Sequence, residues 1–240
     1  MIERLSALWQ TLVALPLFGL TLTLAVYWLC DRLYRRMRYL PLLNPVLLSI
    51  VIVIGFLLAT DVSYPAYFNG AQFIHFLLGP ATVALAIPLY SQFRKVRALF
   101  LPLMASLFIG SAVSIISAVL LARCMGASVP TLLSISTKAA TTPIAMGIAE
   151  HIGGIPSLAV GMVIIAGISG AMGYRFLCKR IGVHDPVAQG FAVGLAAHGV
   201  GTARALQVDP QSGAFAALAM SLNGLLTALL APLLLPWLLR

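Results

Sequence analysis

Long apolar runs separated by short polar stretches dominate the chain, in the pattern expected of membrane-spanning helices. The runs cover residues 5–30, 41–60, 73–90, 98–122, 131–152, 155–178, 188–206 and 214–239. A transmembrane helix needs about 20 predominantly apolar residues. Because each backbone polar group in lipid must find its partner within the segment, these runs predict helices. We therefore expect an all-α, polytopic integral membrane protein with about seven to eight transmembrane segments.

The composition excludes an ordinary soluble domain. Of the 240 residues, 61% are hydrophobic and 9% are charged, whereas soluble domains average about 25% charged residues. The net charge of +9 is divided into short basic clusters rather than one basic face, so we expect no nucleic-acid partner. We predict one domain over residues 1–240, with a first helix at 5–30, a first half at about 41–122 and a second half at about 131–239.

Basic residues predict the orientation in the membrane. They cluster at 32–38, 94–97 and 175–180, and short loops rich in Lys and Arg face the cytoplasm. Tyr64, Tyr67 and Phe68 are then expected on an outer loop, as interfacial anchors. All three basic clusters can be cytoplasmic only if the segment 131–152 enters and leaves on one side. We therefore predict a re-entrant or broken hairpin there, with seven full crossings around it.

Three apolar segments contain residues that interrupt helices. They contain Gly79 and Pro80, then Pro143 after a run of hydroxyl side chains, and finally Gly199 and Gly201. Non-helical backbone at membrane depth must be buried in protein or line a wet cavity. Interrupted segments in both halves of a chain indicate a transporter binding site at a repeat interface. Residues 44–50 align with 142–148, and 79–85 with 190–196, which predicts an inverted repeat.

The same segments contain ordered motifs. They are the Asn-Pro pair at 44–45, Leu-Gly-Pro-Ala-Thr and its continuation at 78–90, Lys138 followed by Thr-Thr-Pro-Ile-Ala-Met at 141–146, His-Gly-Val-Gly-Thr at 198–202, and Leu-Asn-Gly at 222–224. With these motifs the chain resembles the LrgB/CidB family over about residues 40–236. The resemblance implies a multi-pass protein of the bacterial inner membrane that acts with a small LrgA/CidA-type partner.

The resemblance implies two different functions. Members are described as holin-like or antiholin-like proteins that affect murein hydrolase export and lysis. The chain also looks similar to the LrgB-like part of the plastidial glycolate/glycerate translocator, and related bacterial pairs are associated with pyruvate transport. Residues in the matching motifs are therefore candidates for contact with a small carboxylate, among them Asn44 and Thr82.

Lys138 lies in the middle of an apolar segment, where a buried charge costs about 2.5–3.5 kcal/mol. Its ammonium is suited to pairing with a small carboxylate beside a half-helix N-terminus. Alternatively, the lysine reaches the membrane interface from a short hairpin. Thr141 and Thr142 would orient the carboxylate, or they would simply cap the helix that begins at Pro143.

Four further residues are candidates, three of them with an open alternative. His198 and Glu150 are suited to carrying a coupling proton; the alternatives are a hydrogen-bonded core histidine and an interfacial glutamate. Thr202 follows two glycines that allow close backbone approach, so we predict that it faces the cavity. Arg204 is either a second carboxylate clamp or an interfacial arginine.

The sequence contains none of the soluble-enzyme motifs considered. It has no Walker loop, no HExxH, no Cys/His metal set and no dinucleotide fingerprint, so we predict no catalysis, no cofactor and no metal site. Our first hypothesis is a secondary transporter for small monocarboxylates or hydroxycarboxylates, coupled to H⁺ or Na⁺. The alternative is a holin/antiholin-like protein. We also expect a homodimer, because a moving part of a small chain needs a fixed scaffold.

Overall fold

The computed structural model describes residues 11, 13, 15–37 and 43–239, without the side chains at positions 16, 75, 78, 79, 82 and 88. Every regular element in these ranges is helical, which confirms the all-α prediction. The chain divides into two compact units, Met1–Ala84 and Leu85–Arg240. This boundary lies inside the predicted first half. The single domain over 1–240 stays a prediction.

The first unit contains helices α1 (Pro16–Arg36), α2 (Pro45–Ala59) and α3 (Tyr64–Ala84). Helix α1 packs against the other two. The small buried core of this unit is formed by Val26 and Cys30 on α1 and Val53 on α2. At Gly19 a Cβ would lie 2.0 Å from the backbone oxygen of Tyr67 on α3. Only a glycine therefore allows α1 and α3 this close together.

Helix α1 continues beyond the predicted end at residue 30, so the first basic cluster is partly helical. Two local interactions support the extension. Arg35 Nε donates to Asp31 Oδ2 at 2.7 Å, one turn away, and the Arg32 guanidinium lies 5.3 Å from the centre of the Trp28 ring. Cations in the last turn are also favoured by the helix dipole.

Helix α3 also differs from the prediction at both ends. Tyr64, Tyr67 and Phe68 lie in its first turns rather than on a loop, because Ser63 Oγ accepts the backbone N–H of Ala66 at 3.4 Å and starts the helix early. The predicted interruption at Gly79–Pro80 is not found, since the helix continues through Pro80 to Ala84. Interior prolines are tolerated in membrane helices when the freed backbone groups are satisfied nearby.

The second unit contains eight helices within residues 85–239. They are α4 (Ala86–Ser91), α5 (Phe93–Ala98), α6 (Phe100–Cys124), α7 (Val129–Ile135), α8 (Thr142–His151), α9 (Pro156–Arg180), α10 (Pro186–Val208) and α11 (Pro210–Leu238). Among the described residues, α6, α9 and α11 are long and apolar enough to cross a membrane. Their lengths of 25, 25 and 29 residues exceed the about 20 that a bilayer core requires.

Helices α10 and α11 form the tightest pair in this unit. A Cβ on Gly190 would lie 2.0 Å from the backbone oxygen of Ser212, and one on Gly194 would lie 2.1 Å from that of Ala216. Both pairs are four residues apart, which is the small-xxx-small spacing of closely packed membrane helices. Phe215, fully buried, belongs to the core that α10 and α11 form with α6.

Two of the predicted interruptions are confirmed in this unit. Helices α7 and α8 are separated by the non-helical residues 136–141, which we call the break loop. Helix α10 is interrupted at His198, whose backbone has φ 39° and ψ −132°. The non-helical residue is therefore the histidine itself and not Gly199 or Gly201. A hydrogen bond between the His198 ring and the backbone of Val163 on α9 helps to hold this residue in place.

Candidate functional site

Hydroxyl side chains attach the break loop to the backbone at the end of α7. Thr137, fully buried, donates through Oγ1 to Ser134 O at 2.9 Å, and Ser136 Oγ donates to Leu133 O at 2.6 Å. Ser134 Oγ accepts the backbone N–H of Ile155 at 2.8 Å and so ties α7 to the start of α9. These hydroxyls supply hydrogen bonds that a continuous helix would have provided.

Lys138 projects from the break loop toward α6. Its Nζ donates to Ser114 Oγ at 3.0 Å, and both residues are partly buried. Within the described ranges no carboxylate lies within ion-pair distance of this ammonium. An ammonium has three N–H donors. A charged side chain that is removed from water is strongly stabilised by a counter-ion. Among the described residues, the side-chain partner of Lys138 is therefore a neutral hydroxyl and not a carboxylate.

The N-terminus of α8 follows directly after Lys138. Thr141 occupies the N-cap position with extended backbone, yet its side chain makes no capping hydrogen bond. Thr142 is the first residue of the helix and is half-buried, like Thr141. Within the described chain neither hydroxyl is held by the helix that it precedes or begins. Both threonines, together with the free N–H groups of a helix start, remain available to an anion.

His198 is buried against α9. Its Nε2 lies 2.9 Å from Val163 O, and its side chain fits because residue 167 is a glycine, where a Cβ would be 2.6 Å from the ring Cε1. Thr202 Oγ1 donates to His198 O at 2.8 Å and also contacts Met220 Sδ at 3.8 Å. Histidine and threonine thus hold the interruption of α10. Their predicted roles in coupling and substrate binding stay predictions.

Asn223 on α11 joins the two interrupted segments. Its side chain is fully buried, and Nδ2 donates to Ala139 O at 2.9 Å and to Leu195 O at 3.1 Å. Its Oδ1 accepts from Ser111 Oγ on α6. Asn223 lies in the Leu-Asn-Gly motif at 222–224, but that motif did not predict any of these three contacts. An amide inside the 214–239 apolar run was the available signal, because a buried polar side chain requires partners.

The remaining predicted residues of this unit are Glu150, Arg204 and Pro143. Glu150 and His151 end α8 and are exposed within the unit. Arg204 is half-buried and donates to Gln207 Oε1 at 3.3 Å, on the same helix. The predicted roles of Glu150 in proton coupling and of Arg204 in carboxylate binding stay predictions. Pro143 is confirmed at the start of α8.

Two predicted substrate residues belong to the first unit. Asn44 caps α2, since its Oδ1 accepts the backbone N–H groups of Val46 at 2.9 Å and Leu47 at 3.3 Å. Thr82 lies in α3, but its side chain is outside the described part of the structure, so its predicted contact with substrate stays a prediction.

The second unit also contains a largely apolar cavity of about 450 Å³ between α6 and α10. Its wall includes Leu103, Ser106 and Gly110 on one helix and Phe191 and Leu195 on the other. No predicted substrate residue lines it. In the part of the chain that the structure describes, no group of three or more His, Cys, Asp and Glu side chains is placed to hold a metal ion.

Comparison with known proteins identifies the family. Residues 23–237 match the profile of the LrgB-like family. The chain is 36% identical over 212 residues to the uncharacterized protein YxaC of Bacillus subtilis. The matched region covers 88% of this chain and 92% of YxaC. It is 33% identical over 223 residues to the antiholin-like protein LrgB of Bacillus cereus, covering 92% of this chain and 96% of that protein.

The antiholin-like protein LrgB of Bacillus anthracis matches with the same identity and coverage. No solved structure is significantly similar to the chain. A family match over most of the sequence agrees with the long apolar helices and with the motifs at both interruptions. This all-helical membrane protein belongs to the LrgB-like family.

Proposed function

We propose that the chain is an antiholin-like membrane protein that modulates murein hydrolase export and lysis together with an LrgA/CidA-type partner. The observation that carries this proposal is the match over 92% of the chain to relatives named antiholin-like protein LrgB. The protein would act as a non-enzymatic, multi-pass component of the bacterial inner membrane with about seven to eight crossings, in which α6, α9 and α11 supply three.

A lysis assay tests this proposal. Cells lacking the chain and its neighbouring partner are complemented with the chain alone, the partner alone or both, and autolysis is followed as loss of turbidity. We expect slower lysis when both are present. Identical lysis rates in these three strains and in the uncomplemented strain would contradict the proposal. If the chain alone slows lysis as much as the pair does, the partner is not required.

A second function is favoured by the geometry of the break loop. The chain would bind and transport a small monocarboxylate or hydroxycarboxylate of the pyruvate, glycolate or glycerate kind. The specific observation is that partly buried Lys138 hydrogen-bonds only a neutral hydroxyl, Ser114 Oγ, among the described residues. A carboxylate at this position would neutralise the ammonium, and the N-terminus of α8 with Thr141 and Thr142 would bind its oxygens.

Coupling to an ion belongs to this second function. His198 at the interruption of α10 would carry a proton, or freed carbonyls near it would hold Na⁺; Glu150 is the other candidate proton carrier. One part of the chain would move relative to a fixed scaffold, for which a homodimer is suited. Helices interrupted within apolar segments are the usual construction of such transport sites.

Uptake into proteoliposomes tests the second function. Labelled pyruvate, glycolate and glycerate are offered to wild type, Lys138→Met and Lys138→Arg, with Lys179→Met as the matched control because Lys179 is an exposed lysine at the end of α9. Losing the paired charge is expected to weaken carboxylate binding by about 30-fold or more. Lys138→Arg should retain part of the uptake, and Lys179→Met all of it.

Each outcome of this experiment is informative. Equal uptake by wild type and Lys138→Met would show that the site is wrong. Leakage of an uncharged dye without saturable uptake would favour a holin-like pore over transport. Uptake that appears only after the LrgA/CidA-type partner is added would place transport in the pair rather than in this chain alone.

A further inference from the structure

Asn223 uses both of its side-chain N–H donors and its amide oxygen to bind three other parts of the second unit. The two N–H groups bind the carbonyls of Ala139 in the break loop and Leu195 in α10, and the oxygen accepts from Ser111 in α6. The residue is fully buried. A leucine of similar size would fill the space but could satisfy none of these groups.

The contact with α6 places Asn223 beside Lys138. Ser111 and Ser114 are three residues apart on α6, so their side chains lie on one face of the helix. Ser111 hydrogen-bonds to Asn223, and Asn223 in turn donates to the carbonyl of Ala139. Ser114 accepts a hydrogen bond from Lys138, the residue just before Ala139. The break loop is therefore attached to one face of α6 at two successive residues.

The contact with α10 connects the same side chain to the second interruption. Leu195 lies three residues before His198, the non-helical residue of α10. In a regular helix its carbonyl would bind the N–H of residue 199, on the far side of that histidine. Asn223 Nδ2 donates to this carbonyl from α11 at 3.1 Å. One amide thus contacts both interruptions, which lie far apart in the sequence.

We propose that Asn223 is a positioning residue that holds the break loop and the interruption of α10 in one arrangement, with Lys138 kept on Ser114. Losing the amide releases both interruptions together, because each loses a hydrogen bond donated by the same nitrogen. The proposal deepens the second proposed function, since a correctly placed Lys138 is what that function needs. The coupling of the two interruptions, however, is measurable without any substrate.

Amide hydrogen exchange of the purified full chain tests the coupling. The variants are Asn223→Leu, which removes all three hydrogen bonds, and Asn223→Asp, which has the same shape but when ionised has no donor. Thr227→Val is the matched control, a nearly isosteric change at an equally buried position one turn further along α11. Leaving buried carbonyls without donors should speed local opening by about tenfold or more.

The expected result is faster exchange at both 136–142 and 195–202 in the Asn223 variants, with α9 unchanged and with no change in Thr227→Val. Faster exchange at only one interruption, at neither, or equally along α9 would overturn the proposal. If Asn223→Leu does not fold, Ser111→Ala, which removes only the bond to the amide oxygen, should give a smaller rise at the same two places. A rise elsewhere instead would count against it.

Carboxylate binding separates this proposal from the function on which it rests. Glycolate is titrated against wild type and Asn223→Asp, and we expect at least a tenfold higher Kd in the variant because Lys138 is displaced. If wild type binds no carboxylate, the second proposed function fails while the exchange result still decides the coupling. If wild type binds glycolate and Asn223→Asp binds it equally well, Asn223 does not position Lys138.

Discussion

A methyl group at residue 194 should separate α10 and α11, the most closely packed pair of helices in the second unit. In Gly194→Ala the new Cβ would lie 2.1 Å from Ala216 O and 2.6 Å from its carbonyl carbon. Both neighbours are backbone atoms, so no side-chain rotation can relieve the clash. Bringing the contact to an ordinary distance requires α10 and α11 to separate by roughly 1 Å or more.

The expected cost is large for a single methyl group. Overpacking in a close-packed interior typically costs about 1–3 kcal/mol, and a backbone neighbour places this site at the upper end. Against this, alanine in a helix is favoured over glycine by about 1 kcal/mol. We therefore expect Gly194→Ala to lower the free energy of unfolding by about 1–2 kcal/mol, measured in mixed detergent–SDS micelles.

Gly161→Ala on α9 is the matched control, because a Cβ there meets no atom within 4 Å. The propensity gain is then unopposed, so this variant should be as stable as wild type or more stable by up to about 1 kcal/mol. If Gly194→Ala and Gly161→Ala change stability by the same amount, the close approach of α10 and α11 is not what limits residue 194, and the packing argument is refuted.

Three further variants test the remaining contacts. Ser134→Ala removes the acceptor for Ile155 N–H and should cost about 1–3 kcal/mol in the same unfolding assay, whereas alanine at the exposed Ser157 should change little. Asp209→Ala removes the N-cap that accepts Ser212 N–H at 2.7 Å and should cost about 1 kcal/mol; an unchanged midpoint would refute the cap. Thr202→Val keeps the side-chain shape but loses the bond to His198 O at 2.8 Å, so hydrogen exchange around residue 198 should rise several-fold, and unaltered exchange there would contradict its role.

The helices could be predicted from the sequence because their cause is local. Runs of apolar residues long enough to cross lipid must satisfy their own backbone, and residues such as Pro143 can occupy only certain helical positions. For this reason the interruption before Pro143 was found where the hydroxyls and the proline predicted it. The interruption at Gly79–Pro80 was not found, since a helix can absorb a proline when its surroundings allow it.

The partners of the candidate site were decided by the tertiary structure alone. The sequence singled out Lys138 as a charge that lipid disfavours, but nothing local indicated that its partner is Ser114, 24 residues earlier. Asn223 meets Ser111 across 112 residues and Ala139 across 84. A single serine or asparagine in an apolar helix has no periodic signal. Only the packing of α6, α10 and α11, set by small side chains such as Gly194, brings these polar groups within hydrogen-bond distance.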